Sequence, residues 1–118
     1  MEIPERHLPI MPMVLVANTD LFLEYMNTVF GASTQGVVMN GSSITSGELR
    51  VGQGVLLFQQ SDLPQPTQAI LYVDDVQDVY RTGLLCEGQS VAEPIITDWG
   101  FTAAFKDPFG NIWFLVQG

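Results

Sequence analysis

Cysteine, histidine and basic side chains are all scarce in this 118-residue chain: one Cys, one His, and four Lys and Arg together. Each scarcity excludes something. Cys86 has no partner for an internal disulfide, so the chain reads as a protein of a reducing compartment, the cytoplasm, with a buried and inert thiol. His7 alone cannot supply the clustered imidazoles of a zinc or iron site. Its place ahead of the first expected strand makes it a solvated surface residue. Four basic residues against thirteen Asp and Glu leave a formal net charge of −9. Such a surface repels nucleic acid and anionic lipid, and it weakly attracts cationic partners. No apolar run approaches the ~20 residues that cross a bilayer. The N-terminal residues 1–7 lack the basic-then-apolar order of a secretory leader.

What the chain does have is apolar content, 47% of its residues, which is enough for one core in a single domain spanning 1–118. It also repeats itself. Val14 to Asp20 opens an apolar-periodic stretch that ends at Gly31, and Leu71 to Gln77 opens another that ends at Gly88; the two are offset by 57 residues. Each reads as a strand followed by a capped helix. Asn18 or Thr19 suits the first cap and Asp75 the second, because their side chains accept from the free N–H groups of a first helical turn. Phe22, Met26, Val29 and Phe30 share one face of the first helix. In the second, Val76, Val79 and Tyr80 share a face, and Gly83 interrupts it at a cost of ~1 kcal/mol relative to Ala.

Three strands are expected after each helix: Gln35 to Met39, Gly47 to Val51 and Val55 to Phe58, then Val91 to Ile96, Phe101 to Phe105 and Ile112 to Val116. Hairpin turns fall at Gly52-Gln53-Gly54 and at Asp107 to Asn111. The organisation is therefore repeat one at about 9–59, a polar linker at 60–67 stiffened by Pro64 and Pro66, and repeat two at about 68–118.

The run Asp107-Pro108-Phe109-Gly110-Asn111, followed by Ile112-Trp113-Phe114-Leu115-Val116, is a tight turn feeding an apolar strand. With the duplicated unit, it resembles the closing strand of the vicinal oxygen chelate superfamily, which includes glyoxalase I, the extradiol dioxygenases and the bleomycin-resistance proteins. The resemblance covers nearly the whole chain. It implies an α+β fold of two βαβββ repeats, with cupped mixed sheets around a cleft and helices on the outer face.

The enzymes of that superfamily hold one divalent metal in the cleft, on His, Glu or Gln of the first and last strands of each half. Carried over position by position, those places are Met11, Leu56 or Leu57, Gln68 and Phe114. A thioether, two hydrocarbons and a neutral amide cannot bind zinc, iron or manganese. The resemblance is therefore to the metal-free, drug-binding branch, with no cofactor.

If those positions face the cleft, strand alternation brings Met13, Leu15, Ile70, Tyr72, Ile112 and Val116 to the same side. Val14, Val16, Leu71, Val73, Trp113 and Leu115 then pack against the helices. The ligand-binding set read in this way is Met11, Met13, Leu56, Gln68, Ile70, Tyr72, Trp99 and Phe114, apolar and aromatic with one amide and one phenol. It fits a small, planar aromatic or cationic ligand held by a homodimer, with no nucleic acid and no membrane involved. Two alternatives stand beside it. One is a lyase, isomerase or dioxygenase-type enzyme working through Glu48, Glu93 or Asp98 as a general base, or through a metal held by displaced ligands; the other is an interaction module whose apolar face a partner, or its own dimer, covers.

Overall fold

The computed structural model describes residue 8 and residues 10–118, so His7 lies outside the described residues. In chain order the elements are β1 (Met13–Val16), α1 (Thr19–Phe30), β2 (Ser33–Asn40), β3 (Ser43–Val51), β4 (Gly54–Gln60), β5 (Gln68–Val73), α2 (Val76–Leu85), β6 (Gln89–Thr97), β7 (Gly100–Lys106) and β8 (Ile112–Gln117). They form two four-stranded mixed sheets, ordered β1-β4-β3-β2 and β5-β8-β7-β6. The first strand of each sheet pairs in parallel with the last, and the remaining pairs are antiparallel. This is the expected α+β arrangement of two βαβββ repeats. The chain divides into two compact units between Gln65 and Pro66, inside the segment assigned as the linker. Neither described helix is long and apolar enough to cross a membrane.

In unit 1, Asn18 rather than Thr19 caps α1: its backbone is extended and its Oδ1 accepts the Leu21 N–H at 3.1 Å. Thr19 instead turns inward, where its hydroxyl donates to the Ile44 carbonyl. Gly31, at φ 65, ends the helix with a left-handed residue whose N–H reaches the Asn27 carbonyl at 2.9 Å. Phe22, Met26 and Val29 are buried as their spacing requires, together with Tyr25. They belong to a core that includes Val14, Val16, Leu49, Leu56 and Phe58.

In unit 2, Asp75 caps α2 by accepting the Asp78 N–H at 3.1 Å. Gly83 stays within the helix for a packing reason: a methyl group there would lie 2.8 Å from the Phe105 ring. The helix pays the glycine's propensity cost for that close approach. Cys86, expected to be buried, is only partly so; it stands at the C-terminal cap of α2, where its N–H bonds the Thr82 carbonyl at 3.0 Å. Trp113, Phe105, Leu115, Ala103 and Val76 form the buried core.

The turn between β7 and β8 is tied by one buried side chain. Asp107 Oδ1 accepts the N–H groups of Phe109 and Asn111, both at 2.9 Å. Its Oδ2 accepts Asn111 Nδ2 at 3.1 Å and Trp113 Nε1 at 2.9 Å. Asn111 Oδ1 in turn accepts the Thr67 N–H at 2.9 Å, which fastens the start of β5 to the turn. Every one of these donors would otherwise be stranded at low solvent exposure.

Candidate functional site

Each sheet buries one face against its helix and leaves the other open. The open face of unit 2 follows from register. Phe114 on β8 stands beside Ile70 on β5 and Ala104 on β7, and Ala104 stands beside Ala92 on β6. The next row on that face is Tyr72, Val116, Thr102 and Ile95. Leu115, between these rows, and Trp113, before the first of them, point the other way and are 0% exposed.

These side chains surround an open depression of about 360 Å³ lined by Ile70, Ala92, Thr97, Trp99, Thr102, Ala104, Phe114 and Val116, with Ala103 and Leu115 at its floor. The volume suits a small organic molecule. Trp99 sits in the turn between β6 and β7, is 63% exposed, and is followed by Gly100 at φ 104. That left-handed glycine makes the tight reversal between the strands. Ile70, at 48% on the edge strand β5, and Phe114, at 39% on the inner strand β8, leave large apolar side chains open to solvent.

The expected ligand-binding residues divide between the units. Ile70, Trp99 and Phe114 line the depression together. Tyr72, 70% exposed, shares the face without lining it, as does Gln68, which stands beside Ile112. Met11 and Met13 belong to unit 1; Met11 Sδ accepts the Leu8 N–H at 3.3 Å.

The open choice between Leu56 and Leu57 is settled by register. Leu57 stands beside Met13 and Glu48, on the open face of unit 1. Leu56 faces the helix with Leu49 and is 5% exposed, so Leu56 belongs to the core and leaves the site set. Sequence reasoning passed over Ala92, Thr102 and Ala104. The signal was present: a hairpin closed at Asp107 to Asn111 puts Thr102 and Ala104 on the face of Phe114.

The two open faces differ in chemistry. The unit 1 row is Met13, Leu57, Glu48 and Gln35, with Glu48 6% exposed and Gln35 Nε2 buried without a hydrogen-bond partner among the described residues. A separate depression of about 350 Å³ in that unit is polar, lined by Asn40, Ser43, Thr45, Gln60, Ser61 and Asp62, and holds none of the expected residues. Glu93 and Asp98, the other candidate bases, are exposed and line no part of the apolar depression.

The superfamily's metal does not fit these residues. The resemblance assigns those places to Met11, Leu57, Gln68 and Phe114, and among the described residues no group of three or more His, Cys, Asp or Glu side chains is placed to hold an ion.

No family model matches the sequence, and no curated protein sequence matches it. Solved structures do. TioX from Micromonospora sp. ML1 superposes with a TM-score of 0.79 at 17% identity, covering 94% of this chain and 96% of that one. The bleomycin resistance determinant encoded on the transposon Tn5 gives 0.65 at 20% identity, covering 95% and 98%. A glyoxalase/bleomycin resistance protein/dioxygenase family enzyme from Burkholderia phytofirmans PsJN gives 0.67 at 11% identity, covering 89% and 94%. The chain therefore has the fold of the vicinal oxygen chelate proteins that its sequence resembles.

Proposed function

We propose that this protein is a metal-free small-molecule binder that holds a planar aromatic ligand against the open sheet face of unit 2. The observation that carries the reading is the convergence of Ile70, Trp99 and Phe114 on one apolar depression of about 360 Å³. A flat ring laid on that face stacks against Trp99 and Phe114 and removes their exposed apolar surface from water. At ~25 cal/mol per Å² of apolar area removed from water, a ring system of ordinary size gains enough to offset the cost of association.

Binding without turnover is the reading that the site's composition favours. Among the described residues no carboxylate, imidazole or thiol lines the depression, the groups that most often serve as general acids and bases. The fold shared with a bleomycin resistance determinant is in keeping with sequestration, although fold by itself fixes no function.

We further propose a cytoplasmic homodimer. The lone Cys86 suits a reducing compartment. Exposed apolar side chains on β6, Val91, Ile95 and Ile96, offer surface for a second copy. Sedimentation equilibrium reads the assembly directly, and a monomer at high micromolar concentration would refute it.

Titrating planar aromatic compounds into metal-stripped protein while following Trp fluorescence tests the binding reading. Saturable quenching that disappears in Trp99→Ala is expected. An unresponsive signal across the series, or a response only after a transition metal is restored, would overturn it.

A further inference from the structure

We propose that the ligand this cavity takes is an uncharged ring system, and that Ala92 and Ala104 confine the cavity to the second repeat. The inference rests on the binding reading above and narrows it to a chemical class. It comes from comparing the two repeats row by row.

The pairing partners align the two rows, although the ladder shifts register next to Gln35 and on both sides of Ala92. In unit 1 the central row of the open face is Met13, Leu57, Glu48, Gln35; in unit 2 it is Ile70, Phe114, Ala104, Ala92. The first two positions are large and apolar in both. The last two are long and polar in one repeat and methyl groups in the other. Ala104 is 1% exposed beneath the depression, and Ala92 lies on the edge strand beside it. A Gln or Glu side chain at either position would stand in the space where the cavity now is. The hollow therefore exists because two side chains are short.

The same lining selects against charge. Among the described residues its side-chain polar atoms are the hydroxyls of Thr97 and Thr102 and the indole N–H of Trp99, none of them charged. Thr97 Oγ1 donates to the Gly100 carbonyl at 3.3 Å and accepts the Trp99 N–H at 3.1 Å. Thr102 Oγ1 donates to the Ile95 carbonyl at 3.4 Å, which leaves its lone pairs for one ligand donor. Asp98, between Thr97 and Trp99, is exposed to solvent and outside the lining.

A cation entering this space loses water and meets no carboxylate among the described residues, and that desolvation is the dominant cost. Contact with Trp99 and Phe114 offsets only part of it. The chain's net charge of −9 draws cations toward the surface, yet salt screens that attraction over about 8 Å at physiological ionic strength. Attraction at long range therefore does not become affinity inside the depression.

The test uses two dyes of one planar framework, Nile red, which is neutral, and Nile blue, which is cationic. Each is titrated into the full chain and into Ala92→Gln and Ala104→Leu, with dye emission and Trp quenching both followed. Because Ala104 is buried, Ala92→Gln, at an exposed position, is the variant that keeps the fold. Nile red should bind at least about tenfold more tightly than Nile blue, and Ala92→Gln should weaken it by about tenfold or more. Nile blue binding as tightly or more tightly would overturn the charge selection while leaving the binding reading intact. Undiminished Nile red binding in folded Ala92→Gln would overturn the confinement. Saturable binding of neither dye would overturn the inference together with the reading it rests on.

Discussion

Trp113 Nε1 donates to Asp107 Oδ2 at 2.9 Å, joining the largest fully buried side chain of unit 2 to the turn that precedes its own strand. The bond fixes the indole on the helix side of the sheet. Strand alternation then puts Ile112, Phe114 and Val116 on the other side. The orientation of the candidate site is thus held by a carboxylate that never touches it. Asp107→Asn keeps the shape and turns one acceptor into a donor facing other donors, so a loss of about 2–3 kcal/mol in urea unfolding is expected. A loss below about 1 kcal/mol would mean that the network contributes little.

Gly83 gives a prediction opposite in sign to helix propensity. In an exposed helix, Gly→Ala gains about 1 kcal/mol. Here the added methyl would meet Phe105 at 2.8 Å. Gly83→Ala should therefore lower stability by about 1–3 kcal/mol through overpacking. A raised urea midpoint would show that Phe105 yields more easily than the packing indicates.

Leu56 and Leu57 are neighbours with unlike fates. Leu56 is 5% exposed against the helix, whereas Leu57 lies on the open face beside Met13. Leu56→Ala is expected to cost about 2–4 kcal/mol, and Leu57→Ala distinctly less. Equal losses in paired denaturation curves would contradict the register.

Trp99 and Trp113 should report separately. Trp99 is 63% exposed and Trp113 0%, so acrylamide should quench the first and spare the second. Trp99→Ala should leave the unfolding midpoint within about 0.5 kcal/mol of wild type, as a surface substitution does. It should also remove most of the accessible emission. Strong residual quenching would place Trp113 nearer to solvent.

Much of this architecture was legible in the sequence because local signals agreed. Asn18, Asp75 and Gly31 mark helix ends with side chains and backbone freedom that only those positions require, and the structure uses all three. The apolar alternation on β8 told which of its residues share a face. Where the reading stopped, the missing information was pairing. Nothing local distinguishes Leu56 from Leu57, since both are leucines in an apolar run. Only the bond network that sets Leu57 beside Met13 decides it. Cys86 was read as buried because free thiols usually are, but its place at a helix end opens it. Ala92 and Ala104 were passed over because a site search looks for what side chains contribute. These two contribute space.

The central claim is that the open face of unit 2 binds a planar ring without a metal. Amide ¹H–¹⁵N spectra of EDTA-treated, isotope-labelled protein, recorded during titration with Nile red, test it most directly. The account predicts saturable shifts concentrated at Ile70, Thr97 to Thr102, Ala104 and Phe114, unchanged when zinc, iron or manganese is added. Shifts centred on unit 1, or binding that appears only once a metal is supplied, would contradict it.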